Sequence, residues 1–153
     1  EWDCQKVWRQ YYHYVDHHSF EKAIQLFTED ISWDNAGLKL KGRDELLEAL
    51  YGCLDNDTIR HVLTNMVVNV IDENHAEAWA YNTVSYSREG RREDMDGPLH
   101  FEGPHRLVDH HAKFRRVGNE WLIADRGGLF IFRRPNKPTT LEKYTDEKSK
   151  LAP

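Results

Sequence analysis

Near residue 59 the hydrophobic period of this chain changes, and that change restricts the fold more than any other feature. Before it, apolar residues recur at helical spacing; after it, they alternate. Residues 2–15 (WDCQKVWRQYYHYV) contain neither Gly nor Pro, and Trp8, Tyr11, Tyr12 and Val15 share one helical face. Ser19 has the chemistry of an N-cap for a second helix, in which Phe20, Ala23, Ile24 and Phe27 form one apolar stripe. Ile31-Ser32-Trp33 reads as a short strand, followed by an Asn35-Ala36-Gly37 turn and Leu38-Lys39-Leu40. Gly42-Arg43-Asp44 then opens a third helix that buries Leu46, Leu47, Leu50 and Leu54.

The second half reads as long strands. Ile59–Ile71, Ala76–Ser87, Arg106–Val117 and Trp121–Phe132 are predicted as a meander, with turns at Asp72–His75 and Gly118-Asn119. Helices followed by a meander argue for an α+β fold and against a parallel βαβ sheet. The expected architecture is a curved antiparallel or mixed sheet wrapped around three N-terminal helices. Residues 88–104 (REGRREDMDGPLHFEGP) make a charged connection with two Gly-Pro steps, read as a lid, an oligomer contact or a long hairpin loop. Residues 134–153 carry three Pro and many charges and read as a solvated tail, leaving one domain over 1–133.

Composition removes several classes of function. The 153 residues fit one domain with a sizeable core. A net charge of −5, from 21 basic and 26 acidic residues, disfavours a phosphate-binding surface, so no nucleic-acid partner is expected. No apolar run approaches the ~20 residues of a membrane span, and no secretory segment opens the chain, so a cytoplasmic protein is expected. Cys4 and Cys53 form no CxxC pair, so neither a disulfide scaffold nor a cysteine zinc site is expected. Nine His residues make metal binding worth weighing, with Asp16-His17-His18 and Asp109-His110-His111 as the candidate clusters. Adjacent His on a strand point to opposite faces, however, and HExxH and His-x-His spacings are missing. No metal or cofactor is expected.

Strand parity sorts the remaining candidates. Arg106, Val108, His110, Ala112, Phe114 and Arg116 share one face of their strand, and that face is assigned to the interior because it is the more apolar. His110 would protonate a leaving hydroxyl or hold a carbonyl, and Arg116 would stabilise enolate-like charge. Leu107, Asp109, His111 and Lys113 would cover the outer face, through which a homodimer or homotrimer is expected. Trp33, Trp79 and Tyr86 are candidate pocket walls, with Asn65 and Phe114 completing the substrate-binding set and Trp121 left to the core.

Four segments carry a resemblance to a known family: Leu26–Trp33 (LFTEDISW), Lys41–Leu46 (KGRDEL), Arg60–Asn65 (RHVLTN) and Gly118–Ile123 (GNEWLI). In this order and spacing they resemble the SnoaL-like branch of the nuclear-transport-factor-2-like superfamily, over about residues 5–132. The resemblance implies a cone, with a curved sheet around helices and an apolar pocket at the wide end. Within it the chain is similar to scytalone dehydratase and hexachlorocyclohexane dehydrochlorinase, which place an Asp at the end of the first helix and a His early in the first long strand. Those positions match Asp16 and His61. The dehydrochlorinase's Arg, in an Arg-Arg pair, matches Arg116. The bile-acid dehydratases' Tyr, five residues before the Asp, matches Tyr11. The Tyr that precedes the Asp in scytalone dehydratase is Val15 here, and its Asn on the third long strand falls on His110.

The resemblance implies cofactor-independent chemistry on a small, mostly apolar, oxygenated substrate. His61 would abstract a proton, Asp16 would fix its tautomer, and elimination or double-bond migration would follow, with His110, Arg116 and Tyr11 assisting. The rival reading is a non-catalytic ligand-binding or assembly module, such as the small structural subunit of a dioxygenase. The two readings differ on whether Asp16 and His61 meet inside a pocket.

Overall fold

The computed structural model describes every residue except 36, 55–57, 88, 91, 102 and 136–153. Helix α1 (Trp2–Asp16) buries Cys4, Trp8, Tyr11, Tyr12, Val15 and Asp16. Those positions wind along one face, so the aromatic stripe that docks the helix also turns the Asp16 carboxylate inward. Each large side chain so buried contributes about 1.5–3 kcal/mol by removal from water, which pins the helix to the sheet without help from caps. A short helix α2 (Phe20–Ile24) follows, then strands β1 (Phe27–Asn35) and β2 (Leu38–Lys41). Phe27, expected at the end of the second helix, opens β1 instead. Its neighbour Leu26 accepts a hydrogen bond from Ile123 N (2.9 Å), so sheet pairing ends the helix early while Phe27 stays buried.

Helix α3 (Gly42–Leu54) buries Leu46, Ala49 and Leu50, with Leu47 half-buried; the Leu54 side chain lies outside the described ones. The long strands are β3 (Thr58–Val70), β4 (His75–Ser87), β5 (Arg106–Val117) and β6 (Glu120–Arg133). They agree with the expected spans to within a residue or two. The six strands form one curved, unclosed sheet in the order β2-β1-β6-β5-β4-β3. All neighbours run antiparallel except β1 and β6, which are parallel, so the sheet is mixed.

The concave face packs on the helices. On β4 it carries Ala76, Ala78, Ala80, Asn82 and Val84, and on β5 Val108, His110, Ala112 and Phe114. Alanines occupy the narrow end of the concave face, and the cone opens toward Asn82 and His110. The 88–104 connection contains a short 3-10 turn at Arg92–Asp94. It is tied to the β3–β4 end by Thr58, whose hydroxyl donates to Gly90 O (2.7 Å). The expected solvated tail lies outside the described residues from 136 onward. Among the described residues no helix is long and apolar enough to cross a membrane.

Candidate active site

At the wide end a cavity of about 70 Å³ is lined by residues of helices α1 and α3 and of all six strands. That is about half the volume of an apolar cavity that admits one benzene ring, so the enclosed space holds a few waters or one small planar group. Apolar walls come from Val15, Leu38, Leu40, Leu46, Leu50, Ile59, Val84 and Val108. Polar atoms come from Tyr12, Asn35, His61, Asn82, Arg106, His110 and Arg126.

Asp16 and His61 meet on the cavity wall. Asp16 Oδ1 lies 2.6 Å from His61 Nδ1, and Oδ2 accepts the His61 backbone N–H at 3.0 Å. Both carboxylate oxygens are thus occupied by the same residue, which fixes the distance and the plane of the imidazole. The Arg60 guanidinium donates to Asp16 O (2.8 Å) and Ile59 O (2.6 Å), closing the α1 C-terminus onto the strand that bears the base. Burial lowers the His61 pKa below its ordinary 6.5, against the opposing hydrogen bond and charge of Asp16. A neutral imidazole that donates Nδ1–H to the carboxylate leaves the Nε2 lone pair available as a base.

The opposite wall is built around Arg126 and His110. His110 Nδ1 lies 3.0 Å from Gly127 O, which can only accept, so Nδ1 carries the hydrogen. Nε2 is therefore an acceptor, facing Arg126 Nη2 at 3.2 Å and Asn82 Nδ2 at 3.4 Å. Burial holds the His110 pKa well below 6.5, and the neighbouring Arg126 adds to the depression. With its proton engaged by Gly127 O, His110 is an orienting acceptor; the expected role as donor to a leaving hydroxyl is corrected on this geometry. Arg126 also donates to the Tyr12 hydroxyl oxygen and lies over the Trp33 ring, 4.0 Å from its centroid. Burial raises the Tyr12 pKa, so the phenol keeps its own hydrogen, and its ring sits 4.5 Å from that of His61.

Several expected site residues lie elsewhere. Arg116 shares a face with His110 but stands six positions along the strand, about 20 Å away, where it is exposed beyond the helices. Trp79 is 43% exposed on the convex face, because β4 turns its alanines inward. Asn65 is exposed at a bulge in β3, with φ of 52°. Phe114 packs edge-on against Trp8 in the core (centroids 6.2 Å), away from the cavity. Tyr86 stacks on His105 (3.8 Å) beside a separate crevice formed with Pro98–Phe101. Trp33 and Tyr11 do line the cavity, although it is Tyr12 whose hydroxyl meets Arg126.

Sequence reasoning missed Arg126, Tyr12 and Asn82. Tyr12 and Asn82 were within reach of pattern: Tyr12 precedes Asp16 by one helical turn, and Asn82 shares parity with Ala78, Ala80 and Val84. Arg126 was not. Straight alternation from Ile123 turns Asp125 inward and Arg126 outward. The pairing of β5 with β6 slips between Lys113↔Asp125 and Phe114↔Ile123, leaving Ala124 as an extra residue that reverses the parity.

A curved mixed sheet closed by helices over a buried Asp–His pair defines the class of this protein, an α+β cone with a titratable pocket. Residues 1–127 match the family model described as the SnoaL-like domain, and the chain belongs to that family. No curated protein matches the sequence. Solved structures that resemble it include a protein of unknown function with a cystatin-like fold from Nostoc punctiforme (19% identity, 89% of this chain and 92% of that one, TM-score 0.68). Another is a protein provisionally named scytalone dehydratase from Novosphingobium aromaticivorans (15%, 89% and 87%, 0.72). A third is ActVI-ORFA from Streptomyces coelicolor (15%, 84% and 95%, 0.69). At these identities the likeness is one of fold.

Proposed function

We propose that this protein is a cofactor-independent lyase or isomerase that removes a proton from a small oxygenated substrate. His61 is the general base, acting through Nε2, and Asp16 holds its tautomer and stabilises the imidazolium that forms. The carbanion charge flows to a substrate oxygen, where the Arg126 guanidinium and the Tyr12 hydroxyl serve as donors. The His61 imidazolium then returns that proton, either to the β-hydroxyl, which departs as water, or to the far carbon, which completes double-bond migration.

The observation that carries this reading is the Asp16–His61 pair, held by two hydrogen bonds on the wall of a cavity rather than packed in an aliphatic core. A structural module has no need of a desolvated base with a free nitrogen. The similarity to a provisionally named dehydratase agrees with the lyase reading. Self-association through the convex face of the sheet is proposed with it, since Val67, Trp79, Tyr81 and Leu129 stand exposed there.

The test uses proton exchange, because exchange needs no knowledge of the leaving group. Small cyclic and aryl ketones and hydroxyketones are incubated with the protein in D2O, and loss of the α-proton is followed by NMR. Exchange by the wild type that falls by about 10²–10⁴ in both His61→Ala and Asp16→Asn supports the assignment. Near wild-type exchange in both variants would end it.

A further inference from the structure

Arg126 raises a problem that the proton-transfer reading does not use up. Its side chain is 97% buried by the 3% exposure of the residue, yet among the described residues no carboxylate pairs with it. Its hydrogen-bond partners are the neutral Tyr12 phenol and the neutral His110 imidazole, and Asp16 is already taken by His61. The Nε–H has no partner at all. A buried cation without a counter-charge is costly, and folded proteins ordinarily pair such groups.

The unmet polar atoms gather in the same place. Of six buried side-chain nitrogens and oxygens without a partner, four belong to residues lining this cavity: Trp33 Nε1, Asn35 Oδ1, Asn82 Oδ1 and Arg126 Nε. Trp33 is the residue over which the guanidinium lies. Arg126 Nε–H is the cationic member of this group of unmet atoms. Water can fill hydrogen bonds there but cannot supply the missing negative charge.

We infer that the substrate binds as a small, flat monoanion whose carboxylate sits against the Arg126 guanidinium. The inference rests on the proton-transfer reading for what then happens to the substrate, but not for binding. A planar carboxylate matches the forked donors of a guanidinium.

The test compares charged and neutral isosteres by calorimetry and tryptophan fluorescence at pH 7. Benzoate and trans-cinnamate are the anions; benzamide and cinnamamide are their neutral counterparts. The wild type is expected to bind each acid at least tenfold more tightly than its amide. In Arg126→Gln that preference falls to within twofold, whereas His61→Ala keeps it while losing proton exchange. Amides that bind the wild type as well as the acids overturn the inference even if Arg126→Gln does not fold. So does a preference that survives in Arg126→Gln. Acid-selective binding without proton exchange on any substrate would instead leave this inference standing and remove the lyase.

Discussion

A Cβ on residue 128 would lie 2.5 Å from His110 Nδ1 and 2.9 Å from Asn35 Oδ1, so Gly128 leaves the space in which the His110 ring lies flat against the sheet. The register sets this up: His110 faces Gly128 across the β5–β6 ladder, and Asn35 faces it from β1. Gly128→Ala is expected to push the imidazole away from Gly127 O and Arg126, destabilising the fold by about 1–3 kcal/mol as an overpacked site does. It should also cut proton exchange. Gly127→Ala meets the half-exposed His111 ring on the other face, which can swing into solvent, so its effect should be smaller. Urea unfolding and exchange rates of the two variants decide the matter, and equal effects would count against the positioning role.

The legible parts of this protein were those set by period. The aromatic stripe of α1 gave the helix, alternation gave the four long strands, and β5 parity placed His110 inside the cone. Hydropathy misled where the fold wanted small residues. Trp79 alternates with Ala78 and Ala80, which face inward, so the indole is turned out. Arg126 was illegible because a single extra residue, Ala124, reverses strand parity, and a bulge of that kind leaves no mark in composition. Arg116 failed for a different reason. It is on the correct face but too far along the strand, and parity carries no information about depth.

The two buried imidazoles make stability depend on pH. His61 and His110 both have pKa values lowered by burial, His110 further by Arg126, with Arg106 also acting on each. The unfolded chain takes up protons near 6.5 while the folded one does not, so the unfolded state gains as pH falls. Stability should be flat above about pH 7 and fall below 6.5, by up to about 1.4 kcal/mol per pH unit for each group. Urea midpoints measured between pH 7.5 and 5.5 test this, and His110→Gln should make the decline shallower. Proton exchange should hold its rate down to pH 6.5 and drop only below it, as His61 itself becomes protonated. A rate that rises toward acid pH would contradict a neutral base.

Tyr12 and Tyr11 are adjacent, both buried and both on the cavity. Arg126 donates to Tyr12, whose own hydrogen remains for a substrate oxygen, while the Tyr11 ring packs edge-on against Phe27 (5.0 Å) and Trp33 (6.1 Å). Tyr12→Phe is expected to lower exchange by about 10²–10³, the usual effect of removing one donor from a developing oxyanion. Tyr11→Phe should lose clearly less. Rates for the two variants on the same ketone provide the comparison, and a larger loss for Tyr11 would reassign the donor.

The convex face supplies the last prediction. Cross-strand register aligns Val67, Trp79 and His111 in one row and Tyr81, Asp109 and Leu129 in the next, so Val67, Trp79 and Tyr81 adjoin, with Leu129 one strand beyond Asp109. Single exposed hydrophobes need no explanation, but a contiguous patch of this kind on an open sheet marks a contact surface. The surface lies behind the cavity, with Gly127 and Gly128 bordering both sides of the sheet. Light scattering at micromolar concentration is expected to give a dimer or trimer. Trp79→Glu together with Leu129→Glu should yield a monomer whose circular dichroism is unchanged, because neither side chain reaches the core. A wild-type monomer, or a double variant that still associates, would show that this face is bare in solution.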